Sequence, residues 1–350
     1  MSAPSPVVPL QATPARVEQA LGPEWRSTVL AAYRWMVLAR TLDARMLALQ
    51  RQGRVGFYGA ATGQEAVNVA AGLVSAREDW VLPGLREQLV ALVRGHRLGT
   101  YVHHLFADAF DPALGRNMPC HPTAREVHYV SMSSVIGTQV THAVGVAFGM
   151  KHRHERAVAL AFFGDGATSA NDFHAGVNLA AVQRLPVAFL CTNNRWAISV
   201  PVEHQTAARS LAAKATAYGI AGQQVDGTDL FACWAALAGV LARLRAGGPP
   251  ELVEFLVYRM TPHSSSDDPS RYQPADWAER ARAHDPLARL EQWLTSQGLL
   301  DRPTWQRIAS ETDHEVRSAV EAAEAAPPPA PGSLTADVLA VARSGGRPSA

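Results

Sequence analysis

Lysine is almost missing from this sequence. Lys151 and Lys214 are the only two, so arginine carries nearly all the positive charge. The formal net charge is only +1 and the arginines do not gather into one block. That excludes an electrostatic case for nucleic acid or an anionic membrane as partner. Cysteine is scarce too: Cys120, Cys191 and Cys233 form no Cys-x-x-Cys pair and read as small apolar fillers, not a disulfide framework. No stretch approaches the ~18 apolar residues of a membrane span. The opening Met-Ser-Ala-Pro-Ser-Pro lacks the basic and apolar regions of a signal peptide. His121, His128, His152 and His154 show no metal-ligand spacing. There is no internal repeat. The expectation is a soluble, cytoplasmic protein, and 350 residues with 47% hydrophobic content can bury a substantial core.

Pro, Ala and Ser dominate residues 1–16, which read as a mobile N-terminal arm. The main domain is expected over 17–325, and a Pro-rich linker with a C-terminal tail over 326–350. Apolar periodicity predicts helices over 25–54, 64–75, 87–94, 138–151, 169–184, 229–245, 276–296 and 304–325. Strands are expected over 79–81, 157–163, 187–191 and 251–258, with a further strand ending at Val225-Asp226. Polar loops occupy 108–123 and 261–273. Strands alternating with helices predict an α/β fold, with a mainly parallel sheet covered by helices on both faces.

The most informative segment runs from Gly164-Asp165-Gly166 to Asn193-Asn194. It reads as strand, tight turn, helix, strand, loop. A right-handed crossover returns the second strand parallel to the first. Asp165 and the Asn pair then sit on adjacent loops at the carboxyl ends of strands, where open α/β sheets bind ligands. An acid and an amide oxygen there suit Mg2+, and the glycines let backbone N–H groups approach a phosphate.

This arrangement resembles the thiamine diphosphate and Mg2+ motif of thiamine-dependent enzymes. From about 51 to 341 the chain resembles the alpha subunit of the thiamine-dependent 2-oxo acid dehydrogenase family, and within it the branched-chain 2-oxo acid member. The residues that carry the resemblance include Gln52-Gly53-Arg54, Gly115-Arg116-Asn117-Met118-Pro119, Gly137-Thr138-Gln139, His174-Ala175-Gly176 and His263-Ser264-Ser265-Ser266-Asp267-Asp268. The last stretch is the sharpest marker, because the pyruvate-type subunit lacks the second Asp.

The resemblance implies a thiamin diphosphate-binding fold with helical N- and C-terminal extensions. It implies Mg2+ held by Asp165, Asn194 and the backbone oxygen of Trp196. Gly164, Gly166 and Ala167 would offer N–H groups to the diphosphate, gripped further by Arg86 and His263. By the resemblance His263 would be the catalytic group on this chain, and the others are expected on a partner chain. Ser134 and Ile136 complete the cofactor-binding set, with Ile136 propping the bent cofactor. Ser133, Thr138 and Gln139 match a monovalent-cation (K+) site of some members. Phe57, Tyr58, Leu85 and Met118 are expected as substrate-pocket walls. Leu85 departs from the pattern, which has Tyr there.

The implied activity is oxidative decarboxylation of branched-chain 2-oxo acids, with acyl transfer to the lipoyl group of a dihydrolipoyl acyltransferase. The activating glutamate of the family lies in a second domain, so a beta subunit and an α2β2 assembly are expected. The alternatives are the same chemistry on pyruvate or acetoin, and a non-catalytic cofactor-binding scaffold.

Overall fold

The computed structural model describes residues 12–336. Most of the expected arm therefore lies outside the described residues, and its last part already enters a helix at Pro14. The tail is described only to 336, where a 3-10 turn spans Pro331–Thr335.

In chain order the elements are α1 (Pro14–Leu21), α2 (Trp25–Arg51), α3 (Glu65–Val74), β1 (Trp80–Leu82), α4 (Gln88–Val93), α5 (Leu98–Phe106) and α6 (Thr138–His152). Next come β2 (Ala159–Gly164), α7 (Asn171–Gln183), β3 (Val187–Asn193), β4 (Trp196–Ala197), β5 (Val200–Pro201), β6 (Ala221–Asp226) and α8 (Leu230–Arg245). The chain closes with β7 (Glu251–Leu256), α9 (Trp277–Ala283), α10 (Pro286–Ser296) and α11 (Arg302–Ala325).

Five strands make one parallel sheet in the order β1-β2-β3-β7-β6, and β4 with β5 forms a separate antiparallel hairpin. Strands buried on both faces read as near-continuous apolar runs. In β2, Leu160 and Phe162 face one core, and Ala159, Ala161 and Phe163 the other. The first core lies against α2, α3, α8, α10 and α11, the second against α6 and α7. Topology explains the division. The step from β2 to β3 moves across the sheet in one direction, and the step from β6 to β7 moves back. Right-handed crossovers in opposite directions put α7 and α8 on opposite faces.

Several elements differ from expectation, among them α1 and the β4–β5 hairpin, which were not expected. The helix expected over 276–296 is two helices, because Pro286 cannot donate a backbone N–H and disfavours α geometry before it. Asp285 instead caps α10, accepting from Leu287 N at 3.0 Å. The edge strand β6 starts at Ala221, well before the legible Val225. Its Gln223 and Gln224 carry no apolar signal. Helix α5, which was not expected, fills part of the stretch before the polar loop.

Candidate active site

β2 and β3 run in register, Gly164 beside Thr192, and β3 continues to Asn193 beside Leu256 of β7. The turn after β2 and the loop after β3 therefore leave the sheet as neighbours. Gly164 has open space where a side chain would start. Gly166 is constrained differently: a Cβ there would lie 2.7 Å from Cβ of Ala197, so the neighbouring loop already requires glycine. Asp165 is 1% exposed, and its Oδ2 accepts from Gln205 Nε2 at 2.8 Å. Among the described residues it makes no ion pair, and burial pushes its carboxyl up to about 6.

Asn193 donates through Nδ2 to Glu254 Oε1 at 2.7 Å and accepts from Arg195 N at 2.9 Å. It fastens the loop. Asn194 is buried, and its Oδ1 takes a longer 3.2 Å bond from Trp196 N, leaving a lone pair. The carbonyl of Trp196 accepts from Arg259 at 3.3 Å.

Arg86 follows β1 and is 5% exposed. Its guanidinium donates to the carbonyls of Ala60 and His263, the latter at 2.5 Å. It makes no ion pair among the described residues, and burial lowers it to about 10. His263 has Nδ1 3.4 Å from the same guanidinium. Burial, then Arg86 and Arg259, push the imidazole down to about 4, so it is neutral at physiological pH. Its backbone N donates to Asp267 Oδ2 at 2.7 Å, and the same oxygen accepts from Tyr272 OH at 2.6 Å.

The loop before α6 reaches the same end of the sheet. Gly137 (φ +92°) packs its Cα on Ala170 and Asp172, where α7 begins. Ser134 is exposed and shares a hydrogen bond with His121 Nε2. Ile136 is 58% exposed and its neighbour Val135 68%. Ser133 accepts from Val135 N, and Gln139 is buried with its Oε1 unpartnered.

The four expected pocket walls differ in exposure. Phe57 is half-buried against the core. Leu85 is half-buried with its side chain against Gly59. Met118 is 54% exposed. Tyr58 corrects the expectation: its side chain is fully buried, with its hydroxyl on Asp43 at 2.8 Å, so it is core and lines no open wall.

Sequence reading missed three residues. Arg259, 1% exposed, donates to the carbonyls of Trp196 and Ile198 and to Tyr272 OH at 2.7 Å, so it ties the Asn194 loop to the His263 loop. Its one signal was an arginine directly after an apolar strand. Glu87, beside Arg86, is buried and accepts from Arg86 N at 3.1 Å; burial pushes its carboxyl up to about 7. Gln205 had no signal, since the hairpin that returns it to Asp165 is too short to read.

Among the described residues no group of three His, Cys, Asp or Glu could hold a metal unaided. No helix among them is long and apolar enough to cross a membrane.

The sequence profile of the dehydrogenase E1 component family matches residues 33–332. The chain is 40% identical over 291 residues to 3-methyl-2-oxobutanoate dehydrogenase subunit alpha of Mycobacterium tuberculosis, covering 82% of this chain and 77% of that protein. It is 40% identical over 303 residues to 2-oxoisovalerate dehydrogenase subunit alpha of Bacillus subtilis, covering 86% and 92%. It is also 39% identical over 295 residues to the pyruvate dehydrogenase E1 component subunit alpha of the same organism, covering 84% and 77%. With a match spanning most of its length, and a parallel sheet whose strand ends gather the acid, amide and arginine loops, the chain belongs to the dehydrogenase E1 component family.

Proposed function

We propose that this chain is the alpha subunit of a thiamine diphosphate-dependent dehydrogenase for branched-chain 2-oxo acids. It would work with a beta subunit as an α2β2 assembly in the cytoplasm and pass the acyl group to a lipoyl-bearing acyltransferase. The observation that carries the reading is a pair of buried groups of opposite charge on neighbouring strand ends, neither of which makes an ion pair among the described residues. As a cation Asp165 feels only the more distant Arg259, and Arg86 has Glu87 on its backbone N but no carboxylate on its guanidinium. Buried charges are ordinarily paired. A Mg2+–diphosphate unit offers a cation to the first and phosphate oxygens to the second, so the residues present fit that group.

Mg2+ takes about six oxygens in octahedral array. Asp165, Asn194 and the carbonyl of Trp196 would supply three, and the diphosphate and water the rest. Arg86 presents a planar fork, which suits phosphate. The backbone N–H groups of Gly164, Gly166 and Ala167 lie at the same turn. His263, neutral and half-buried, can donate or accept a hydrogen bond without adding charge. Gln139, with its unpartnered oxygen, together with Ser133 and Thr138, would take K+. Thiamine diphosphate, when bound, supplies an electron sink for breaking the bond between the carboxylate and keto carbons of the substrate. This chain anchors and orients it. Apolar Ile136 and Met118 stand exposed around the site, and a beta chain would cover them and supply the remaining catalytic groups.

Relatives acting on branched-chain acids and on pyruvate match this chain at nearly equal identity. The second Asp of the His263 loop favours the branched-chain reading. Co-expression with candidate beta chains, followed by decarboxylation assays with thiamine diphosphate and Mg2+, tests it. The expected kcat/KM for 3-methyl-2-oxobutanoate exceeds that for pyruvate by about tenfold or more, the scale of added methylenes in a pocket. The reverse preference would move the chain to the pyruvate branch. Cofactor binding without turnover of either acid would make it a scaffold.

A further inference from the structure

Gln205 comes from the same excursion that carries Asn194 and Trp196. After Trp196 the chain forms the β4–β5 hairpin, then a single 3-10 turn over Val202–His204, and reaches the Asp165 turn that follows β2. The result is a loop closed on Asp165. Gln205 Nε2 donates to Asp165 Oδ2 at 2.8 Å and lies 3.5 Å from the carbonyl of Val200. The Gln205 Oε1 lies over Gly166, 3.7 Å from the position a Cβ would take. Glutamine therefore spans the Gly164-Asp165-Gly166 turn and engages one carboxylate oxygen from outside.

That contact divides the two oxygens of Asp165. Oδ2 is committed to a neutral N–H donor, while Oδ1 has no side-chain partner among the described residues. A neutral donor leaves the charge in place, whereas a lysine or arginine there would cancel it. A carboxylate with one oxygen committed coordinates a metal through the other, in the monodentate mode. Mg2+ is small and demands near-octahedral geometry, while Ca2+ accepts bidentate carboxylates and six to eight oxygens. Partners of this kind around a metal ligand fix its orientation and typically govern 10–100-fold in metal affinity.

We infer that Gln205 is a positioning residue of the metal site, holding Asp165 monodentate and so selecting Mg2+ over Ca2+. This rests on the proposed role of Asp165 as a ligand, and the test separates the two ideas. The alpha chain, purified with its beta chain, is titrated with thiamine diphosphate in Mg2+ or in Ca2+, and binding is read by calorimetry. Gln205→Met keeps the length and the cover over Gly166 but removes the donor. Mg2+-supported affinity is expected to fall about 10–100-fold, with a smaller loss in Ca2+, moving the ratio of the two Kd values toward Ca2+ by about fivefold or more. Gln205→Glu, which keeps the shape and adds a second carboxylate, should move the ratio the same way and serves if the Met variant folds poorly. Affinities within about twofold of the parent in both metals would overturn the inference. So would equal losses in both, which would leave Gln205 only a support for the turn. Asp165→Ala should abolish the metal dependence. If it does not, the ligand assignment itself fails, whatever Gln205 does.

Discussion

Arg86 donates a hydrogen bond of 2.5 Å to the backbone carbonyl of His263, joining loops 177 positions apart in the chain. The same side chain holds the carbonyl of Ala60. One guanidinium thus fixes three segments and still has the charge to receive an anion. Under the proposed role of Arg86, cofactor grip and loop order would depend on this one residue.

Replacing Arg86 by Lys should expose that double role. An ammonium cannot reproduce a planar fork spanning two carbonyls. Hydrogen bonds to charged groups are worth about 1.5–3 kcal/mol, so cofactor affinity should fall about 10–100-fold. Calorimetry measures this. The His263 loop should loosen in parallel, seen as faster limited trypsin cleavage at Arg271, whose side chain is 84% exposed. Weaker cofactor binding with unchanged cleavage would separate the two roles.

Glu87 gives the apoprotein a pH dependence. Its folded carboxyl is pushed up to about 7 by burial, from the ordinary value of 4.5. The folded state keeps a proton that the unfolded chain releases. Ionisation therefore costs nothing below about pH 4.5, and the penalty grows as pH rises and is complete above about 7. Glu87→Gln should stabilise the protein by up to roughly 3 kcal/mol at pH 8 and by almost nothing at pH 4.5. Urea denaturation at the two pH values checks it, and an equal gain at both would contradict the account.

Gly63 holds the segment that presents Ala60. Its φ is +96°, and a Cβ would lie 2.0 Å from the carbonyl oxygen of Tyr258. That atom belongs to backbone and cannot swing aside. Gly63→Ala should cost more than about 2 kcal/mol, from strain and overpacking together. Gly99 in α5 has nothing within 4 Å of the same position, so Gly99→Ala should stabilise by about 0.4–1 kcal/mol. Thermal melts of the two variants, opposite in sign, test the pair.

The strand–helix–strand core was legible because each buried strand is an unbroken apolar run and the turn between is punctuated by glycine. Asp165 and Asn194 followed from their place at the ends of such runs. β6 was legible only at its end, since an edge strand with polar side chains leaves little periodicity. Tyr58 misled because an aromatic beside glycines has the same appearance in a pocket wall as in a core. Its hydroxyl is held by Asp43 of α2, 15 positions earlier in the chain. Arg259 and Gln205 were hidden for a related reason: each acts through a contact with a distant loop, which no local pattern encodes.

The in-register ladder from β2 through β3 to β7 has an evolutionary consequence. The spacing between the Asp165 turn, the Asn194 loop and the segment leading to Arg259 is set by neighbouring strands, not by the length of the crossover helices. Helix α7 or α8 could gain or lose a turn at its far end, and the amino ends of the strands would absorb the change. Such a scaffold accepts insertions on one side of the sheet while conserving distances on the other. Variation in length among relatives should therefore collect at the end of the sheet opposite the ligands.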